Sequence, residues 1–107
     1  MRVIRAVLVE DPACLLWRNE IGMYTRPGGT HPIRYGVCNP GGADLLGCYG
    51  PRFLAVECKT PRGRLSADQV NFGRWITDRG GVYAVVRSEA EARALLDRLR
   101  QPSKESA

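Results

Sequence analysis

The chain has 107 residues, enough for one domain with a single hydrophobic core and without room for a second. No apolar run reaches membrane-spanning length and the N-terminus lacks a signal peptide's apolar segment, which predicts a cytoplasmic protein with no membrane partner. A net charge of +5 with 44% hydrophobic residues fits a globular domain whose electrostatics favour a polyanionic partner.

From Met1 to Glu10, the residues Val3, Ile4, Val7 and Leu8 fall at helical spacing, although the β-branched content would also suit a strand. Asp11-Pro12 closes the segment, because the residue before a proline is pushed out of the helical region. Cys14 to Asn19 reads as extended. Thr25 to Pro32 carries turn chemistry throughout and reads as a loop. Loops with an arginine beside glycines, as in Arg26-Pro27-Gly28-Gly29, can approach phosphates closely, which marks Arg26 as a candidate DNA contact. His31, the only histidine, lies in this loop and reads as an exposed loop residue. Ile33 to Cys38 is a predicted strand, followed by the turn Asn39-Pro40-Gly41-Gly42.

The stretch from Gly41 to Lys59 is the centre of the chain. Apolar residues run on both sides of Tyr49-Gly50-Pro51-Arg52, the pattern of two strands joined by a tight turn. A turn centred between Gly50 and Pro51 sets Asp44 opposite Glu57. Side chains alternate along a strand, so Glu57 and Lys59 share one face while Cys58 points to the other. Two acids directly opposite each other in a sheet are destabilising without a compensating cation. A hard divalent ion held through oxygens meets that need, and Mg²⁺ sites use one or two carboxylates with waters and phosphate oxygens. The competing reading is that Asp44 caps the turn and that Glu57 with Lys59 is a solvated edge pair. Against it, Leu54, Val56 and Cys58 on one face and Phe53 and Ala55 on the other predict a strand buried on both sides.

Beyond Lys59, the loop Thr60-Pro61-Arg62-Gly63-Arg64 brings Arg62 and Arg64 to the mouth of this site, where they would hold phosphates, or act as an ordinary solvated loop. Ser66 with Gln69 is a capping box opening a helix, in which Val70, Phe72, Trp75 and Ile76 form the apolar face. Trp75 reads as a core residue in preference to a base-stacking one. Gly80-Gly81 stops the helix, and Val82 to Val86 is a buried strand. Ser88 with Glu91 is a second capping box, ahead of a helix with Ala92, Leu95, Leu96 and Leu99 as its stripe. A helical crossover between Lys59 and Val82 makes the two flanking strands parallel neighbours. Cys14, Cys38, Cys48 and Cys58 form no close pair and read as small buried hydrophobes in a reducing compartment.

Gly-Gly-Ala-Asp-Leu-Leu-Gly (41–47), Phe-Leu-Ala-Val-Glu-Cys-Lys (53–59) and Gly-Arg-Leu-Ser-Ala-Asp-Gln (63–69) together resemble the core of the VRR-NUC nucleases, a branch of the PD-(D/E)XK restriction-endonuclease-like superfamily. The resemblance extends to Trp17-Arg18-Asn19-Glu20-Ile21-Gly22, Gly80-Gly81-Val82 and Val86-Arg87-Ser88, and so covers nearly the whole chain. It implies an α/β fold with a mixed sheet flanked by helices and a central β-hairpin bearing the active site. It favours a helix at the N-terminus, and sets the domain at 1–101 with a flexible tail at 102–107. It also implies a Mg²⁺- or Mn²⁺-dependent DNA endonuclease acting as a homodimer on branched DNA such as Holliday junctions. Asp44, Glu57 and the main-chain carbonyl of Cys58 would hold the metal, with Lys59 and Gln69 completing the catalytic set. Arg18, Arg26, Arg62 and Arg64 are the DNA-binding candidates.

The chain departs from this family in two places. Where Val-Arg-Arg stands in the family, serine replaces the second arginine and supplies a helix cap. The family's first helix carries a metal-binding acid, and Met1 to Arg5 has none. Glu20 is the candidate substitute, with Glu10 behind it. Without such an acid, the alternative is a DNA-binding module of the same fold that has lost catalysis.

Overall fold

The computed structural model describes residues 1–20, 22–38 and 40–101; the tail assigned to 102–107 lies outside them. Three helices and six strands follow in the order α1 (Arg2–Leu8), β1 (Cys14–Arg18), β2 (Gly22–Thr25), β3 (Pro32–Tyr35), β4 (Leu45–Tyr49), β5 (Arg52–Cys58), α2 (Ala67–Asp78), β6 (Val82–Val86) and α3 (Glu89–Arg100). Four strands make one sheet in the order β1-β4-β5-β6, antiparallel except for the parallel β5–β6 pair. The fold is therefore mixed α/β, and the parallel step is the one that α2 crosses over.

The β4–β5 hairpin has the register the turn dictates, with Leu45 facing Val56 and Tyr49 facing Arg52. Gly50 takes φ 56°, the conformation a two-residue primed turn requires at its first central position, and Pro51 fills the second. The two faces of this sheet are unequal. Leu45, Leu54, Val56, Ala84 and Val86 point to one side, where α1 and α3 bring Ile4, Val7, Leu8, Leu95, Leu96 and Leu99 to form the main core. The intervening residues Leu46 and Ala55 point the other way and meet only Ala43 and Phe72, with Ile76 and Tyr83 packed beside them.

How α2 sits on this second face differs from its apolar stripe. Phe72 and Gly73 are buried, whereas Val70 is exposed and Trp75 is 66% exposed. The reason is Tyr83 on β6, whose ring lies against Gly73 so closely that a Cβ there would come within 2.3 Å of it. Phe72 meets the same ring edge-on, with centroids 5.8 Å apart. The smallest residue of the helix, not its largest, faces the sheet, and that rotation turns Trp75 outward.

Three further expectations change. The segment Gly22–Thr25 is a strand, pairing antiparallel with Pro32–Tyr35 in a separate two-stranded sheet, and the strand expected over 33–38 stops at Tyr35. Cys38 is exposed with φ 60°, a turn residue and not a buried hydrophobe. The other three cysteines are buried or half-buried as expected, and burial pushes the Cys14 and Cys58 thiols up to about 11. At α3, Ser88 accepts from the Glu91 amide, but Glu91 Oε1 accepts from the amide of Arg87, so the second half of the expected box reaches one residue further back. No helix among the described residues is long and apolar enough to cross a membrane.

Candidate active site

The polar cluster lies on the thinly covered face, at the end of β5. Glu57 follows Ala55 by two residues and so points the same way, toward α2. Its residue is 3% exposed. Asp44 stands one position before β4, and extrapolating the hairpin register places it across from Glu57. The Asp44 carboxylate is fixed by the Cys58 main chain, whose N–H donates to Oδ2 at 2.9 Å.

The approach of Asp44 is set from behind by Asn19. Its side chain is buried, donating to the carbonyls of Val37 and Ala43 and accepting from the Val37 amide, while its own amide donates to the Asp44 carbonyl at 2.8 Å. A single asparagine thus clamps the segment that delivers Asp44 to the sheet. Sequence reading placed Asn19 in a motif but saw no role for it.

Two groups meet Glu57 on one oxygen. Gln69 Nε2 donates to Oε1 at 3.0 Å, and the Lys59 ammonium stands 3.9 Å from the same atom. Gln69 had two competing readings, helix cap or site residue, and it performs both. Its Oε1 accepts from the Ser66 amide while its own amide donates to Ser66 Oγ, so one side chain closes the capping box and reaches the acid.

The second Glu57 oxygen, Oε2, is buried and without a hydrogen-bond partner, and so is the Tyr83 hydroxyl. Burial, then the facing Asp44 carboxylate, push the Glu57 carboxyl up to about 7, against the downward pull of the Lys59 ammonium. Burial and the same two acids push the Tyr83 phenol up to about 12. Tyr83 therefore belongs to this cluster, and sequence reading missed it. The available signal was its place on a buried strand parallel to β5, with Tyr83 beside Ala55 and on the Glu57 side.

The remaining candidates make no contact with this centre among the described hydrogen bonds and ion pairs. Arg62 and Arg64 are exposed in the loop between β5 and α2, which Arg87 anchors by donating to the carbonyls of Thr60 and Gly63. Arg26 is exposed between β2 and β3. Glu20 has a side chain 74% exposed and pairs with Arg18 at 3.9 Å. Glu10 pairs with Arg93 of α3 at 3.3 Å, on the side of α1 and α3 and away from the Glu57 face. The structure thus gathers Asp44, Glu57, Lys59 and Gln69 and adds Tyr83, while the contacts of Glu20 and Glu10 run elsewhere.

The donor chemistry fits a hard divalent ion: two carboxylates face each other, and one buried oxygen has no partner. Among the described residues no group of three or more His, Cys, Asp and Glu side chains is gathered for a metal. Mg²⁺ sites with one or two carboxylates draw their remaining ligands from water and substrate phosphate.

No family model matches the chain, and no curated protein or solved structure matches it either.

Proposed function

We propose that this chain is a metal-dependent DNA endonuclease with a restriction-endonuclease-like fold, hydrolysing phosphodiester bonds of branched DNA such as four-way junctions. The observation that carries the reading is Glu57: a nearly sealed carboxylate set against a second acid, with Lys59 and Gln69 on one oxygen and no donor on the other. A carboxylate held for stability alone has both oxygens hydrogen-bonded, because an unpaired buried acceptor is costly. The arrangement is what a cation-binding pair needs before its ion arrives.

Asp44 and Glu57, with the Cys58 carbonyl, would hold Mg²⁺ or Mn²⁺. Such an ion, when bound, supplies a water of lowered pKa and neutralises charge on the attacked phosphate. Lys59, on the Glu57 side of the strand, places an ammonium where negative charge develops on the phosphate oxygens. Gln69 orients Glu57 from the first turn of α2 by donating to Oε1 and leaves Oε2 without a donor. Arg62 and Arg64, on an anchored loop, are placed to hold the strand by its phosphates. A two-fold dimer would present two such sites to two strands of a junction.

The test uses labelled duplex, flap and four-way-junction substrates with Mg²⁺ or Mn²⁺. Asp44→Asn, which keeps an acceptor for the Cys58 amide, and Lys59→Ala are expected to abolish metal-dependent cleavage while leaving the melting temperature nearly unchanged. Cleavage retained in both variants would remove the mechanism. Sedimentation of a strict monomer at low micromolar concentration would count against symmetric cutting.

One observation favours a second reading. Helix α1 has no acid in its first turn, and the two acids available to replace one, Glu20 and Glu10, are paired with Arg18 and Arg93. A binding module that no longer cuts would hold DNA with steep salt dependence and show no turnover with either metal.

A further inference from the structure

The exposed Trp75 borders an open cavity of about 310 Å³, lined by Cys38, Pro40, Asp68, Asn71, Phe72 and Trp75. We propose that this cavity takes a single unstacked nucleobase bearing an exocyclic amino group, stacked on Trp75, from the strand whose phosphate lies at Asp44 and Glu57. The inference deepens the nuclease reading and rests on it for the path of the strand.

Four features of the cavity select this occupant. Its volume is at the small end of ligand sites, about 300–1,000 Å³, which suits one flat ring system and not an extended chain. Its floor is Phe72 and its side is an indole with one face attended by the Arg79 guanidinium, 5.7 Å from the ring centroid. Aromatic platforms flanked by a cation are how unpaired bases are held. The two polar groups at its mouth are Asn71, an amide able to pair with base edges, and Asp68, a carboxylate. The carboxylate repels a phosphate and accepts from an amino group, so the base enters and the backbone stays outside. A polyanionic partner would be drawn to the chain as a whole, whose net charge is +5, but only a neutral ring with donors suits this one acid-rimmed spot.

Position ties the cavity to the acids. Asp68 precedes Gln69, whose amide holds Glu57, and Phe72 packs on the ring of Tyr83, which pairs with Ala55 on the Glu57 side of the sheet. Residues 68, 71, 72 and 75 form one stripe of α2, and Phe72, the one of them that also packs on the sheet, is common to the cavity and to the face that carries Glu57.

The experiment follows Trp75 emission in Trp17→Phe protein, which has no other tryptophan, in EDTA so that no cutting occurs. Four-way-junction DNA is expected to quench the emission, and short oligo-dC more strongly than oligo-dT of equal length, thymine having no amino group. Trp75→Ala is expected to weaken junction and oligo-dC binding by about 5- to 150-fold, the loss that removing one stacking contact brings, and Trp75→Phe to weaken it less. Trp75 is exposed, so both variants fold, which circular dichroism verifies. Unchanged emission with saturating DNA, or full-strength binding by Trp75→Ala, overturns the proposal even if the protein cuts normally. Quenching in EDTA by a protein that never cuts with Mg²⁺ or Mn²⁺ supports the base pocket and sinks only the nuclease reading. An emission change that tracks protein concentration without DNA assigns the cavity to a second copy and overturns the proposal.

Discussion

Two buried acids sit at opposite ends of this domain and have opposite surroundings. Asp11, after α1, is saturated: Oδ1 accepts from the Ala13 amide at 2.9 Å, and Oδ2 accepts from the Tyr49 hydroxyl at 2.7 Å and from Arg100 Nε at 2.9 Å. The Ala13 amide first, then Tyr49 and Arg100, hold its carboxyl down at about 2. Glu57 has one occupied oxygen, one empty oxygen and a second acid beside it, and its carboxyl rises to about 7. The first acid ties α1, β4 and α3 together around the main core. The second is tied by α2 but left incomplete. A buried carboxylate that serves the fold is closed by donors, and on the proposed function Glu57 is the open counterpart, left without a donor for a ligand to complete.

The largest effect that would break this contrast is on Asp11. Asp11→Ala leaves the Tyr49 hydroxyl, the Ala13 amide and Arg100 without their acceptor, and is expected to lower the melting temperature at pH 7 more than any substitution in the Glu57 cluster. A thermal scan of both sets checks it; equal losses would mean that Glu57 is structural too.

Next in size is the pH dependence, where the two acids act with opposite sign. Asp11 has a lowered folded pKa, so its stabilisation is present above the ordinary carboxylate value and lost as pH falls from about 4 toward 2. Glu57 has a raised folded pKa, so the folded state favours its proton. Its contribution is fully present below its ordinary value of 4.5 and lost as pH rises through about 7. Melting temperatures of the metal-free protein are therefore expected to decline between pH 4.5 and 7, and Glu57→Gln, which cannot ionise, to flatten that decline and melt higher than the parent at pH 8. Added Mg²⁺ or Mn²⁺ should raise the parent at pH 8 and leave Glu57→Gln where it is. An unchanged pH slope in the variant would place the titration elsewhere.

The smallest effect concerns Tyr83. Its ring packs on Phe72 and Gly73, but its hydroxyl is unpaired. Tyr83→Phe keeps the packing and removes a buried group with no partner, so metal-free stability is expected to change by under about 1 kcal/mol, and in the stabilising direction. A loss larger than this would mean that the hydroxyl is bound in solution.

The hairpin was legible because its determinants are local. Gly50-Pro51 specifies the turn, the turn specifies the register, and the register brings Asp44 to Glu57. The capping role of Gln69 was legible for the same reason, since it stands three positions after Ser66, whereas its place beside the acid came from the family resemblance alone. The parts that were not legible depend on contacts across the fold. Trp75 is turned out by a glycine meeting a tyrosine on β6, ten residues further along. A stripe drawn from large apolar residues alone cannot see that. Asn19 works through the carbonyls of Val37 and Ala43, and no spacing rule announces a side chain that clamps two distant loops. The strand Gly22–Thr25 was hidden because it is short and begins with glycine, and its partner Pro32–Tyr35 begins with proline, so neither has a strand's usual composition.

Arg87 shows where a resemblance in sequence and a role in space diverge. Its guanidinium grips the carbonyls of Thr60 and Gly63, so the segment bearing Arg62 and Arg64 is docked onto the start of α3 before any polyanion arrives. Ordering that segment is completed during folding, not on association. Were DNA the partner, as proposed, it would meet two guanidinium groups already carried on a held backbone, and loosening Arg87 would slow productive capture without removing either of them.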